Sequence, residues 1–224
     1  MTGLLVFARC AGFAFRAPGF SHPSVTPTLR VGLAIFLAFA LTPGVRPPSA
    51  QLDGVAFVLA FATEFLLGST IGMVASVLYD GAYAGGRAID DYVGVKAIAP
   101  SVQLVAPSGF GRVWSLAYTG GFFLLGAYRI TLLSFAQSFA RIALGAPFDA
   151  HAWASYAIGL ASTIFLVALG VAAPAIALSF VVQVAIGALS RAVPRFGSVT
   201  LAFPLAFAAA LVATALAAPQ LGAR

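Results

Sequence analysis

The stretch DGAYAGGRAIDDYVGVKAIAPSVQLVAPSGFGR, residues 80–112, interrupts a chain that is otherwise almost entirely apolar. It holds half of the six acidic residues of the chain and its only lysine. Its glycines allow unusual backbone angles, and its prolines interrupt helices. At about 30 residues it is long for a structureless connection, and its apolar content argues against disorder. We therefore favour a packed loop that covers or plugs something over a solvated linker.

This stretch has two parts with different character. Residues 80–91 carry most of its charges and predict a charged helix end or a turn. Residues 94–112 are mostly apolar, with two prolines, and predict the loop itself. The loop is therefore the part that we expect to act as a closure.

The composition of the whole chain excludes a water-soluble domain. Of 224 residues, 61% are hydrophobic and 8% are charged, and the mean hydropathy is +1.02. Soluble domains are roughly 45–50% apolar and about 25% charged. Too little polar surface remains to cover a globule in water, whereas a bilayer requires an apolar exterior. We predict a single membrane domain over residues 1–224.

The apolar segments on either side of residues 80–112 are short or broken. Residues 4–15 and 29–42 are shorter than the stretch of about 20 residues that a helix needs to cross a bilayer. Residues 152–189 are too long for one simple span, so we predict a helical hairpin or a sharply kinked helix with its break near Pro174. The other predicted segments cover residues 52–79, 113–140 and 199–218. The expected fold is an all-α membrane protein of about six to seven bent or broken helices.

Two charges lie deep within apolar segments, Glu64 and Arg129. An isolated charge at such a position costs at least roughly 2.5–3.5 kcal/mol, so each needs a partner or water. We favour a structural pair, either with each other or with another subunit. The alternative is an ion or proton pathway, which would make the chain a small ion-coupled membrane transporter. Gly68 and Gly72 follow Glu64 at a spacing that lets another helix approach closely.

Residues that would indicate an enzyme, a metal site or a nucleic-acid surface are absent or scattered. The chain has two histidines outside any H-E-x-x-H spacing, no G-x-S-x-G motif and no Walker loop. Cys10 is the only cysteine, which excludes an intramolecular disulfide and predicts a small packed side chain. The twelve basic residues form no patch. We predict no catalytic residue, no metal, no cofactor and no nucleic-acid partner.

Fragments spaced along the whole chain match the pattern of one known family. They are the proline-bearing hinge of residues 15–33, the glutamate–glycine segment 64–72, AGGRAIDDYVG at 84–94, GAYR at 126–129, AAP at 172–174, AIGALSRAVP at 185–194 and AFPL at 202–205. Each fragment alone is weak, but their order along one chain is specific. Together they resemble the FliR/SctT-type export-apparatus subunit of bacterial flagella and type III secretion systems.

The resemblance implies a multi-pass protein of the bacterial inner membrane. It would assemble with FliP/SctR-type, FliQ/SctS-type and FlhB/SctU-type membrane subunits into a channel for unfolded protein substrates. Its helices would be bent into hairpins, and its central loop, residues 95–112 in this chain, would contribute a plug that gates the channel. Membrane lipid would be a further partner, contacted by arginines at helix ends.

Residue by residue, the resemblance and the apolar pattern nominate two groups. The gating or plug candidates are Gly94, Val95, Lys96, Pro100, Pro107, Phe110 and Arg112. The structural or intersubunit candidates are Glu64, Gly68, Gly72, Arg129, Pro174, Arg191 and Pro194.

Overall fold

The computed structural model describes residues 1–21, 25–48, 53–93, 109–147, 149–192 and 199–222. Every long regular element in these ranges is an α-helix, which confirms the all-α class. The helices are α1 Thr2–Arg16, α2 Pro27–Leu41, α3 Gly54–Val93, α4 Gly109–Leu124, α5 Ala127–Arg141, α6 Ala150–Ala192 and α7 Val199–Gly222, and a 3-10 turn, Thr42–Gly44, follows α2.

Capping residues explain where two of the helices begin. α2 starts at Pro27, and the hydroxyl of Thr26 accepts the N–H of Leu29 at 3.4 Å. Proline is favoured at the first helical position and threonine at the position before it. One carboxylate oxygen of Asp149 accepts the N–H groups of His151 and Ala152 in the first turn of α6, each at 3.0 Å. Short polar side chains thus define helix starts within a very apolar sequence.

Helix α3 is longer than its sequence suggests. It contains 40 residues and ends at Val93, so residues 80–91 are a helix end and not a turn. Glycines lower helix propensity, but here they lie in a contact between helices. A Cβ on Gly81 would lie 2.6 Å from Val167 Cβ, and a Cβ on Gly85 would lie 2.5 Å from the carbonyl oxygen of Ala168. Packing against α6 therefore compensates for weak local propensity.

Helix α6 is one continuous helix of 43 residues with Pro174 inside it, so the hairpin predicted for this segment is wrong, whereas the alternative of a kinked helix stays a prediction. A proline removes one backbone hydrogen bond and crowds the preceding turn. Its side chain is exposed here, whereas Val171 and Ala175 on either side of it are fully buried. Packing before and after the proline holds the helix together across the weakened turn.

The segment predicted over residues 113–140 is broken where we expected continuity. α4 ends at Leu124, α5 begins at Ala127, and the two helices are bent by 74°. Gly126 lies at the break with φ +73°, a backbone conformation that glycine adopts without steric cost. The general expectation of bent or broken helices is confirmed, but the position of the break is new.

The chain divides into two compact units, each described by itself. Unit 1 comprises Met1–Val77 and Thr119–Ala161. Its core is centred on α1, where Leu5, Cys10 and Phe13 are fully buried. The Phe13 ring stacks on Phe135 of α5 with centroids 4.2 Å apart. Cys10 is a packed core residue, as predicted.

Unit 2 comprises Leu78–Tyr118 and Ser162–Arg224. Its core combines the end of α3, the start of α4, α6 and α7. Phe110 packs against Phe207 with ring centroids 5.2 Å apart. The Ser179 hydroxyl donates to the carbonyl oxygen of Ala206 at 3.2 Å and links α6 to α7. A single domain over residues 1–224 stays a prediction.

Three helices in the described ranges are long and apolar enough to cross a bilayer. They cover Pro27–Gly44, Gly54–Val93 and His151–Ala192. The bent pair of α4 and α5 would supply a fourth span if it counts as one. Large apolar side chains such as Phe39 and Leu124 are 84% and 88% exposed, as a surface facing lipid or another apolar protein requires. The fold is that of a multi-pass membrane protein.

Candidate functional site

Glu64 forms a buried ion pair with Arg9 in unit 1. Arg9 Nε lies 2.5 Å from Glu64 Oε2, and the two side chains are 0% and 1% exposed. The second carboxylate oxygen of Glu64 accepts the N–H of Gly145 at 2.9 Å. The charge and both oxygens of Glu64 are therefore satisfied within this chain.

The guanidinium of Arg9 also caps the end of α5. Its Nη1 donates to the carbonyl oxygens of Ser138 at 3.1 Å and Ile142 at 3.2 Å, and its Nη2 donates to Ile142 at 3.2 Å. The ring of Phe139 lies below it, 4.5 Å from the guanidinium carbon. Carbonyls at a helix C-terminus lack helical partners and carry partial negative charge, which a cation offsets. One side chain therefore ties α1, α3 and α5 together.

This pairing corrects our expectation for Arg129. We considered a pair between Glu64 and Arg129, but the Arg129 side chain is exposed and its Nε donates to the Tyr128 hydroxyl at 3.2 Å. Sequence reasoning missed Arg9 as the partner. Arg9 nevertheless lies in the middle of the 15-residue apolar helix α1, whose other charge, Arg16, is at its last residue, and the rule that a buried charge needs a counter-charge applies to Arg9 as well.

The two glycines that follow Glu64 lie where α1 approaches α3. A Cβ on Gly68 would overlap the carbonyl oxygen of Arg9, and a Cβ on Gly72 would lie 2.9 Å from the carbonyl oxygen of Phe13. Gly12 on α1 faces the backbone of Phe65 in the same way. The close backbone approach brings Arg9 within reach of Glu64. Any role of these glycines between subunits stays a prediction.

A second buried carboxylate, Asp90, holds the start of α4 against the end of α3 in unit 2. Its side chain is 1% exposed. Oδ1 and Oδ2 accept the N–H of Phe110 at 3.2 and 3.1 Å, and Oδ2 accepts the N–H of Gly111 at 3.4 Å. A Cβ on Gly86 would overlap the backbone of Gly111. The two helices therefore meet backbone to backbone beside this carboxylate.

Only two of the seven plug candidates lie among the residues that the structure describes. Phe110 is buried in the core of unit 2, and the Arg112 side chain is exposed on α4. The other five, Gly94, Val95, Lys96, Pro100 and Pro107, lie outside the described residues. Asp90 was not among our site residues, although it is one of three acidic residues in the stretch with which we began.

The remaining structural candidates lie toward the end of the chain. Arg191 is exposed in the last turn of α6, where a cation complements the helix dipole. Pro194 lies outside the described residues. In the ranges that the structure covers, no group of three or more His, Cys, Asp or Glu side chains could hold a metal ion.

Comparison with known proteins gives consistent matches over the chain. The family model described as "Bacterial export proteins, family 1" matches residues 1–224. The flagellar biosynthetic protein FliR of Bacillus subtilis (strain 168) is 28% identical over 218 residues, which are 93% of this chain and 83% of that protein. FliR of Aquifex aeolicus (strain VF5) is 22% identical over 221 residues, 98% of this chain and 86% of that protein. The Yop proteins translocation protein T of Yersinia pestis is 26% identical over 184 residues, which are 79% of this chain and 70% of that protein.

Proposed function

The chain belongs to family 1 of the bacterial export proteins and is a membrane subunit of a flagellar or type III export apparatus, and we propose that it helps to form the entrance of the export channel. Membership confirms the resemblance read from the sequence fragments. It also agrees with the apolar helices that could span the inner membrane. In this role the chain acts with other subunits, and its own residues supply packing, contact surfaces and a gate.

The proposed gate is the segment between α3 and α4. The observation that supports it most is the hold of Asp90 on the first amides of α4. Asp90 lies one turn before the end of α3, so the end of α3 and the start of α4 are close together. The described residues on either side of 94–108 therefore lie close together, which supports the proposal. We propose that residues 95–112 contribute the plug.

The proposed partners are FliP/SctR-type, FliQ/SctS-type and FlhB/SctU-type membrane subunits. The exposed apolar side chains of α2 and of the bend between α4 and α5, including Phe36, Phe39, Leu124 and Leu125, give this chain a large surface for subunits and lipid. Exposed arginines such as Arg141 and Arg191 suit lipid phosphates or acidic groups on a partner. The cargo in this proposal is unfolded protein.

The buried pair of Arg9 and Glu64 supports a structural role for these charges. In an ion-coupled transporter the acidic group must be accessible to the ion. Glu64 is instead fully buried, and both of its oxygens are bonded inside unit 1. We therefore propose the channel subunit and not the transporter.

Removal of the plug segment tests the proposal. The tagged chain without residues 95–107 is purified with its partner subunits, and the complex is placed in vesicles loaded with potassium chloride. We expect the wild-type complex to retain potassium and the shortened one to release it, because the channel has lost its closure. A complex of unchanged mass whose vesicles stay tight would refute the plug. Purification of the wild-type chain as an isolated monomer would refute the channel subunit.

A further inference from the structure

A groove between α1 and α2 in unit 1 is lined almost wholly by apolar atoms and has a volume of about 490 Å³. Its lining includes Gly3, Phe7, Ile35, Ala38, Phe39 and Thr42. We propose that this groove binds one acyl chain of an anionic phospholipid, whose phosphate is bound by Arg46. The proposal does not depend on the plug, because none of these residues belongs to it.

The walls of the groove offer no free polar group. Thr42 carries the one polar side chain among the lining residues, and its hydroxyl donates to the carbonyl oxygen of Ala38 at 2.6 Å. A polar group that enters such a site without gaining a hydrogen bond costs free energy. The occupant is therefore hydrocarbon, either a chain of methylene groups or an apolar side chain.

The dimensions of the groove exclude a helix. Residues 35–43 cover roughly 12 Å along a helix axis at 1.5 Å per residue, so a volume of about 490 Å³ corresponds to a mean width of roughly 6–7 Å. A helix with its side chains is about 10–12 Å across. A single hydrocarbon chain fits this width, whereas a helix of another subunit could insert only one side chain.

The groove lies at the end of a candidate membrane span, where an acyl chain meets its headgroup. The span Pro27–Gly44 ends two residues before Arg46, and residues 35–43 form its last part. The Arg46 side chain is exposed and forms no ion pair with any residue that the structure describes. Arginines just beyond a span lie at the level of the lipid phosphates and bind them with several donors. This positive charge favours an anionic lipid over an uncharged side chain of a partner.

Photolabelling with lipid probes tests the site in the complex purified with its partner subunits. The complex is placed in phosphatidylcholine vesicles that contain a small amount of a probe with a diazirine in its acyl chain. The probe is either phosphatidylglycerol or phosphatidylcholine, and mass spectrometry of peptides measures the label at Phe7, a half-buried residue of the groove. Relative to the total label of the complex, we expect about fivefold more label at Phe7 from phosphatidylglycerol, which is the effect of one arginine near anionic lipid.

Two glycine variants test the groove itself. Gly3→Leu places a side chain in the groove, and Gly32→Leu makes the same change on α2 outside it. A Cβ would meet open space at both positions, so neither variant is expected to disturb the fold. We expect Gly3→Leu to lower the label at Phe7 by about tenfold or more, because the acyl chain loses the apolar surface of several methylene groups. Gly32→Leu should match the wild type.

Two arginine variants test the recognition of the phosphate. Arg46→Gln removes the charge beside the groove, and Arg129→Gln removes another exposed charge of unit 1. We expect Arg46→Gln to keep the label at Phe7 but to lose the preference for phosphatidylglycerol. Arg129→Gln should keep both.

Four outcomes would overturn the proposal. The first is no label at Phe7 in the wild-type complex, which would mean that no lipid enters the groove and would be the result if a partner's side chain filled it. The second is unchanged label in Gly3→Leu, and the third is an equal loss in Gly32→Leu. The fourth is equal labelling by the two lipids in the wild type. If Gly3→Leu prevents assembly, the comparison of the two lipids still decides, because it needs no variant.

Discussion

Glu64→Gln tests whether the buried ion pair stabilises unit 1. Arg9 is completely buried, and Glu64 is its only carboxylate within salt-bridge distance among the described residues. A glutamine would keep an oxygen for Gly145 but turn a neutral amide toward the guanidinium.

The size of the effect follows from the burial of both groups. Breaking a buried ion pair by removing one partner costs about 3–5 kcal/mol, since the other charge is left uncompensated. At roughly 2–4 °C of melting temperature per kcal/mol for a chain of this length, the midpoint should fall by roughly 6–20 °C. Arg9→Met should cost a similar amount, because it leaves the carboxylate buried and also uncaps the end of α5.

The measurement is a heating series of the fluorescently tagged chain in mild detergent, read by size-exclusion chromatography. The double variant Arg9→Met with Glu64→Gln should be more stable than the sum of the two single changes predicts, with a coupling of about 2–3 kcal/mol. Arg129→Gln removes an exposed guanidinium and should stay within about 0.5 kcal/mol of the wild type. Additive single changes, or a wild-type midpoint for Glu64→Gln, would show that the pair contributes nothing.

Two glycine substitutions, measured in the same assay, test the backbone features of unit 1. Gly68→Ala places a methyl group against the α1 backbone and should cost about 1–3 kcal/mol; an unchanged midpoint would mean that α1 does not approach α3 this closely. At Gly126 a methyl group would meet open space, but alanine would have to adopt φ +73°. We expect Gly126→Ala to cost about 1–2 kcal/mol for that reason. A variant more stable than the wild type would contradict the left-handed backbone at this bend. Gly120→Ala is the control for both, because open space surrounds it within α4 and alanine favours helix over glycine by about 1 kcal/mol.

The sequence predicted helix content far better than helix boundaries. Apolar runs identify membrane helices because lipid demands an apolar exterior and internally bonded backbone. Local rules failed where packing outweighed propensity. Pro174 lies within a continuous helix, and the glycines of residues 81–86 lie within α3, because neighbouring helices hold both segments. The break at Gly126 reflects one backbone angle that several nearby glycines could equally have adopted.

For the candidate sites, too, the sequence predicted some features and the packing of helices decided others. Composition alone established that Glu64 needed a partner, since a charge in apolar surroundings is costly. Nothing local could choose Arg9 over Arg129, because the choice depends on which helix lies against α3. Gly68 predicted a close approach but not the helix that makes it.

By itself, the sequence determined that this is a helical membrane protein and which family it resembles, because composition and ordered motifs are properties of the chain. The tertiary structure decided how its few charges are used. Arg9 and Glu64 lie 55 positions apart, and Asp90 reaches the amides of Phe110 and Gly111 across residues 94–108. Ion pairs and hydrogen bonds act over a few ångströms, so only the folded chain, which brings distant residues that close, settles which partners meet.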